Sequence, residues 1–315
     1  MAEKPMRRSI QPLSLSGGWS GCTCTCDPRA TDPSDATGVM PMSSRLTLHQ
    51  LQEVAERIIS DPSTLAGYSV LKYSKHGEVF RAKVESAGGS VDIVAKRNRA
   101  AGWRRRFRAM VRSSRARRNF DQALQLFALG IPTARPLLLL ERRRPRRESW
   151  LVTEFVPNLL DLDQLVLIEF PKLDQHSVYG AKVRVVDSVV KLLVGLQDAG
   201  LGHRDFKASN LMLAGFHSTD REAKAWMLDL DGLYQIRSRA ESRHWQPVVR
   251  LAASLLDYSM ITRTDYARFL RSLLRRQPSD LKWKNRYRDL ARQASDYACR
   301  AKRRKKDKLD GYGGG

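Results

Sequence analysis

The feature that most constrains this chain is the run Gly202-His203-Arg204-Asp205-Phe206-Lys207-Ala208-Ser209-Asn210-Leu211-Met212-Leu213. Three polar groups of different chemistry stand at fixed offsets within it. The Asp205 carboxylate comes first, the Lys207 ammonium follows two residues on, and the Asn210 carboxamide comes five residues after the Asp. A carboxylate here can accept a proton, an ammonium can neutralise developing negative charge, and a carboxamide oxygen can hold a hard divalent cation. The apolar Leu-Met-Leu that follows is the stub of a short strand that anchors the loop. His-Arg-Asp alone occurs by chance in many proteins; followed by Lys, Asn and an apolar strand at these offsets it is far rarer.

The run reads H-R-D-x-K-x-x-N-L and resembles the catalytic loop of the protein-kinase fold. Phosphoryl transfer needs little covalent help from a protein; it needs charges fixed around a triphosphate and its Mg²⁺. Candidates for the remaining charges occur in kinase order. Lys96 ends the apolar Ile93-Val94-Ala95, where a strand would aim its ammonium at the α/β-phosphates of ATP. Asp121 lies on the next helix, where an acid should pair with that Lys, and Glu141 and Glu154 are the fallbacks. Asp205 is the expected base, Lys207 the residue that reaches the γ-phosphate, and Asn210 a metal ligand. Asp229 follows another apolar strand and is the second expected metal ligand. The sequence there is Asp229-Leu230-Asp231-Gly232, so Asp231 stays open as an alternative. His203 and Arg204 are read as braces for the loop. Gly77, in the turn Ser74-Lys75-His76-Gly77, allows close backbone approach to phosphate. Backbone groups of Glu154 and Val156 are placed to bond an adenine.

Periodicity gives strands followed by helices, an α+β pattern, and the resemblance to the protein-kinase fold implies two lobes: a small antiparallel-sheet N-lobe with one main helix, and a mostly helical C-lobe. Residues 1–44 are polar, rich in Gly, Pro and Ser, and read as a disordered leader. Residues 45–62 read as an accessory helix, opened by the capping-box pattern Thr47-Leu48-His49-Gln50 and closed by Asp61-Pro62. The N-lobe spans 63–156, with strands near 68–73, 78–84, 91–97, 136–140 and 150–155 and a helical stripe from Phe120 to Phe127 that stops at Gly130. The C-lobe spans 157–298, with a long apolar helix over 183–196, a strand at 225–228, and helices near 247–258, 264–275 and 284–303. Residues 299–315 form a basic, Gly-rich tail.

The net charge of +23 is concentrated. Residues 1–95 carry ten basic and ten acidic residues, whereas Lys96–Arg118 carries eleven basic residues and no acid. Smaller clusters stand at 141–147 and 300–306. Such clusters are an electrostatic footprint for an anionic partner, with an anionic membrane surface the expected one, but the cluster at 300–306 reads mostly as a solvated surface that binds nothing in particular. Nucleic acid is disfavoured, because the basic residues lack an interleaved set of stacking aromatics. No apolar run reaches membrane-spanning length and no secretory signal opens the chain, so the expectation is a cytoplasmic protein, peripheral at the inner face of the membrane. Cys22, Cys24 and Cys26 alternate with Thr and read as reduced thiols, since no fourth nearby ligand completes a zinc site.

With these residues in place the chain resembles the lipopolysaccharide-kinase family of Kdo and heptose kinases. Tyr73-Ser74-Lys75, the stretch Ala128 to Leu137, Leu151 to Phe155, His203 to Lys207, Leu228 to Asp231, and Thr262 to Asp265 running into Arg268 to Arg271 carry the resemblance. It implies ATP- and Mg²⁺-dependent phosphorylation of a sugar hydroxyl in the lipopolysaccharide inner core, with a glycolipid acceptor. The short stretch between Asp229 and the helix near Pro247, with no Ala-Pro-Glu, supports a non-protein acceptor independently. A protein Ser/Thr kinase and a catalytically inactive kinase-fold module that binds anionic membrane or nucleic acid are the alternatives.

Overall fold

The computed structural model describes residues 9–25, 46–74, 77–86, 89–99, 113–142, 148–216, 223–236, 241–276 and 282–310. Most of the basic stretch after Arg99, the tip at 143–147, and Lys75 and His76 lie outside them. The chain divides into two compact units. One comprises residues 1–128 and 134–157, the other 129–133 and 158–315.

The first unit is built on a seven-stranded antiparallel sheet in the order β1-β2-β6-β7-β5-β4-β3. The strands are β1 (Ser9–Leu13), β2 (Trp19–Thr25), β3 (Ser69–Ser74), β4 (Gly77–Ser86), β5 (Gly89–Arg99), β6 (Pro136–Arg142) and β7 (Glu148–Glu154). Helices α1 (Leu48–Ser60) and α2 (Arg115–Ala128) cover opposite faces. Side chains alternate between the faces of a strand. Leu138 and Leu140 of β6 therefore join Trp150 and Val152 of β7 against Leu51, Val54, Ala55 and Ile58 of α1. Leu139 and Leu151 point the other way, to Ala116, Phe120 and Leu124 of α2. Because both faces are covered, β6 reads as an unbroken Leu137-Leu138-Leu139-Leu140 rather than an alternation. Phe80 and Trp150 pack edge to face with ring centroids 5.7 Å apart in the α1-side core.

The leader is the main correction. Residues 9–25 are not disordered: they form the hairpin β1–β2, whose second strand pairs with β6 from Trp19↔Arg142 to Thr23↔Leu138. Leu13, Trp19 and Cys22 are buried, and the buried Thr23 hydroxyl donates to the Leu137 carbonyl at 2.8 Å. Gly17 and Gly18, both at positive φ, make the turn. Cys22 is thus a core residue between sheet and α2, and burial pushes its thiol pKa up. Cys26 lies outside the described residues. The accessory helix forms as expected, with both arms of the Thr47/Gln50 capping box in place.

The second unit is mostly helical: α3 (Gln175–Asp198), α4 (Glu241–Leu255), α5 (Arg263–Arg276) and α6 (Trp283–Asp310). Short strands β8 (Leu160–Asp161), β10 (Leu211–Ala214) and β11 (Lys224–Met227) form one small sheet, and β9 (Leu201–His203) with β12 (Leu233–Gln235) another. Residues 299–310, read as a tail, continue α6.

A buried ion cluster ties α3 to α5. Asp265 accepts from Lys182 Nζ at 2.9 Å, from Arg268 Nη1 at 2.9 Å, and from the Thr262 N–H and hydroxyl at 2.9 and 2.8 Å. Burial alone would raise the Asp265 pKa, but the Thr262 and Lys182 bonds outweigh it and hold the carboxyl below its ordinary 3.8. A depressed carboxylate pKa contributes stability above the unfolded-state value and loses it as pH falls through the folded-state value. Asp265→Asn is therefore expected to cost about 3 kcal/mol at neutral pH, because Lys182 loses its counter-charge. The gap from wild type should close below about pH 4. Urea denaturation of both proteins across pH checks this, and a pH-independent gap would contradict it.

Candidate active site

Each unit carries its own part of the predicted constellation. In the second unit, α3 ends at Gly200, in the left-handed region at φ +68, which lets the chain reverse into β9. The run from Arg204 then leaves β9, makes a helical turn over Ala208–Asn210, and enters β10. Phe206 and Leu211 are fully buried and pin the loop to the core, while Asp205 and Lys207 stay accessible. The Ala208 N–H donates to the Ser254 hydroxyl on α4 at 3.0 Å, fixing the far side of the loop.

The structure brings the three polar groups together. Lys207 Nζ lies 2.9 Å from Asp205 Oδ2. Asn210 Nδ2 donates to the Asp205 carbonyl at 2.8 Å and to Asp205 Oδ2 at 3.0 Å. Partial burial raises the Asp205 pKa, but the Lys207 and Asn210 contacts more than reverse it, so the carboxyl stays ionised.

His203 braces the loop, and its partners are now explicit. The ring is 1% exposed. The Asp205 N–H donates to Nδ1 at 3.2 Å, so Nε2 carries the proton and donates to the Asp229 carbonyl at 2.9 Å. Burial pushes the imidazole pKa down, which keeps the ring neutral with one acceptor and one donor. The Arg204 N–H donates to the Gly232 carbonyl at 2.8 Å, continuing the β9–β12 pairing from His203↔Leu233. Two glycines are needed for this packing. A Cβ on Gly232 would sit 2.7 Å from His203 Cε1, and one on Gly202 would sit 2.6 Å from Tyr234 Cζ.

Asp229 follows β11, and β11 is itself clamped. The Met227 N–H donates to the Pro132 carbonyl at 3.0 Å, and the Thr133 hydroxyl donates to the Met227 carbonyl at 2.8 Å. This explains why Leu129–Thr133 belongs to the second unit although α2 precedes it. Asp229 and Asp231 are both half-buried. As for a cation, Asn210 directs Nδ2 at Asp205, which leaves Oδ1 as its acceptor. Together with an Asp229 carboxylate that is an all-oxygen donor pair, which fits Mg²⁺ held by one or two protein groups plus substrate phosphates.

Two acids escaped the sequence reading because they lie at the start of the C-lobe, in a stretch assigned to no element. Asp161 caps the turn at Gln164, accepting its N–H at 2.7 Å. Asp163 accepts from the Tyr258 hydroxyl at 2.8 Å. Burial raises the Asp163 pKa, and Lys207 is among the groups that pull it back. Lys207 is thus influenced by a second carboxylate besides Asp205. The signal was the pair of acids in Asp161-Leu162-Asp163, at the start of the C-lobe.

In the first unit, Lys96 pairs in register with Val79 of β4 and Leu151 of β7. Leu151 points to α2, so Lys96, directly across the ladder from it, stands on the α2 face of the sheet. Asp121 does not supply the expected partner. It is exposed, and the charges acting on it are Arg117 and Glu141, with burial the largest influence and upward. The polar residue that α2 turns toward the sheet is Asn119, 3% exposed. Of the fallbacks, Glu141 is held by Arg117 at 2.7 Å. Glu154 is pushed up by burial and opposed by Arg135.

Gly77 has a structural reason to be glycine. A Cβ there would lie 2.1 Å from the Arg97 carbonyl oxygen, so β4 approaches β5 too closely for a side chain. At the end of β7, the Glu154 N–H donates to the Arg135 carbonyl and the Phe155 N–H to the Asp92 carbonyl, each at 2.9 Å. The Glu154 N–H is therefore engaged, and its carbonyl and the Val156 N–H are the groups that an adenine would have to use.

The chain is similar in fold to a solved structure of WaaP in complex with acyl carrier protein, with a TM-score of 0.53 and 19% identity over 78% of this chain and 93% of that one. A BubR1 kinase domain aligns over 55% of this chain and 48% of that one, with a TM-score of 0.36 and 13% identity. No curated protein matches the sequence significantly. The model of the lipopolysaccharide kinase (Kdo/WaaP) family matches residues 78–272, the span from the start of β4 to α5 that includes Lys96, Asp205, Lys207, Asn210 and Asp229. The chain belongs to the lipopolysaccharide kinase (Kdo/WaaP) family.

Proposed function

We propose that this chain transfers the γ-phosphoryl group of ATP to a hydroxyl of an inner-core sugar, Kdo or heptose, on a lipopolysaccharide precursor. The observation that carries the proposal is the Asp205–Lys207–Asn210 cluster lying inside the family match. In this reading Asp205 accepts the proton of the attacking sugar hydroxyl. Its low pKa suits a loose transition state, in which orienting the hydroxyl matters more than strong basicity. Lys207 neutralises charge on the transferring group. Asn210 Oδ1 and Asp229 would hold Mg²⁺, which would supply positive charge to offset that of the phosphates. Lys96 would steady the α/β-phosphates, and Gly77, Glu154 and Val156 would contribute backbone to the nucleotide.

No helix among the described residues is long and apolar enough to cross a membrane. The proposed route to a membrane-borne acceptor is the set of basic clusters, of which Arg115, Arg117 and Arg118 on α2 and Arg300 to Arg304 on α6 lie in described elements. The proposed site of action is the inner face of the cytoplasmic membrane.

Purified chain given labelled ATP should phosphorylate lipopolysaccharide lacking core phosphate. Mass spectrometry of cells lacking the protein should show a core sugar missing one phosphate. Transfer to delipidated protein and not to lipopolysaccharide would overturn this reading. Asp205→Asn is expected to lower kcat by about a thousandfold with ATP affinity nearly unchanged. Lys96→Ala should raise the KM for ATP as well as lower kcat. Gly232→Ala, which drives a Cβ into the His203 ring, should cost about a hundredfold in kcat by misplacing the loop, with an unchanged far-UV circular dichroism spectrum. Steady-state kinetics of the three variants separates these roles.

A further inference from the structure

Helix α5 carries five arginines and one acid, and the acid, Asp265, faces the buried cluster described above. Thr264, Arg268, Arg271 and Arg275 recur at offsets of four, three and four residues, which lines them up along one stripe of the helix. With Ala267, and with Trp283 at the start of α6, they line a cavity of about 260 Å³.

The three guanidiniums of this cavity are not equivalent. Arg268 is fixed: its Nη1 bonds Asp265, and its plane lies 4.7 Å from the Tyr179 ring centroid. Its remaining N–H donors are therefore pre-oriented. Arg271 lies 5.6 Å from the Trp283 ring centroid, and Lys284 adds a second cation at 5.9 Å from the same ring. Among the described residues no carboxylate pairs with Arg271 or Arg275. Like charges around one small cavity repel, and an anion with several acceptor oxygens relieves that repulsion through bidentate Arg bonds.

We infer that this cavity is a binding site for the phosphate head group of an anionic lipid, separate from the proposed catalytic loop. Two observations favour a lipid head group over a free ion. Arg268 and Arg275 lie two helical turns apart, about 10 Å along the axis, so the cations are spread over more length than a lone oxyanion covers. Trp283 is 37% exposed at the rim, an amphipathic ring of the kind that sits at membrane–water boundaries. The site would dock this face of the second unit on an anionic bilayer surface, whichever core sugar is phosphorylated.

The test uses the full chain and short-chain dihexanoyl phosphatidic acid below its micelle concentration. Tryptophan emission should change saturably, and the change should vanish in Trp283→Phe. Arg271→Gln/Arg275→Gln should weaken binding by about tenfold. The charge-matched pair Arg288→Gln/Arg292→Gln, exposed on α6 and outside the basic clusters, should leave it unaltered, and dihexanoyl phosphatidylcholine should give no signal. Equal weakening by both double variants would assign the attraction to diffuse charge and overturn the site. Equal affinity for glycerol 3-phosphate would overturn the lipid assignment. Absence of any Trp283-dependent signal would remove the cavity as a site.

Discussion

His203 has its two ring nitrogens committed to two different segments: Nδ1 to the backbone N–H of Asp205, and Nε2–H to the carbonyl of Asp229. A side chain in this position fixes where the proposed base and the proposed metal ligand begin their turns. The bridge works only if the ring is neutral, since an imidazolium has no acceptor for the Asp205 N–H. Burial secures that state by depressing the pKa. Gly232 secures the geometry, because nothing larger fits against the ring. Around this bridge the β9–β12 pairing, the Arg204–Gly232 bond and the Ala208–Ser254 bond each fix one further backbone point.

Asp205, Lys207 and Asn210 then arrange themselves as a charge-neutralised cluster within hydrogen-bonding distance. Such a cluster stabilises the loop without ligand, but its members are more than a third exposed where measured as an ion pair, so the energy of that pair is small. Small is useful here. In the proposed reaction Lys207 must turn toward a phosphate and Asp205 toward a sugar hydroxyl, and a weak exposed pair exchanges partners at little cost. The contrast with Asp265 is instructive. That carboxylate is buried and has four donors, and it holds two helices together.

Much of this was legible in the sequence where one chemical pattern coincided with one periodicity. The catalytic run, the strands of the central sheet, the capped α1 and the long α3 all satisfy that condition. The misses have physical reasons. Trp-Ser-Gly-Cys-Thr-Cys-Thr does alternate at period two, but the Gly, Pro and Ser around it masked a strand that buries Trp19, Cys22 and Thr23. Asp121 was chosen for its charge, whereas the 3.6-residue period that buries Ala116, Asn119, Phe120 and Ala123 turns it outward. Pro247 was taken as the start of α4, which begins at Glu241 and carries Pro247 within it. Asp163 belongs to a segment with no periodicity, so only its contact with Tyr258 reveals it.

The covered sheet shows how the same physics shapes the first unit. A strand that meets helices on both faces must be apolar at every position, and β6 obeys that rule over four consecutive leucines. On β5 Asp92 and Lys96 to Arg99 interrupt the apolar residues, and Lys96 lies between Ala95 on the α1 side and Leu151 across the ladder. A half-buried ammonium costs free energy unless it is hydrogen-bonded or paired. Apolar packing alone does not call for an ammonium at this position, and its presence fits the nucleotide-binding role proposed for it. The turn at Gly77 shows the converse. Its glycine looks like a device for phosphate, yet the Arg97 carbonyl alone would require it. A residue that violates packing carries more information about function than one that packing already explains.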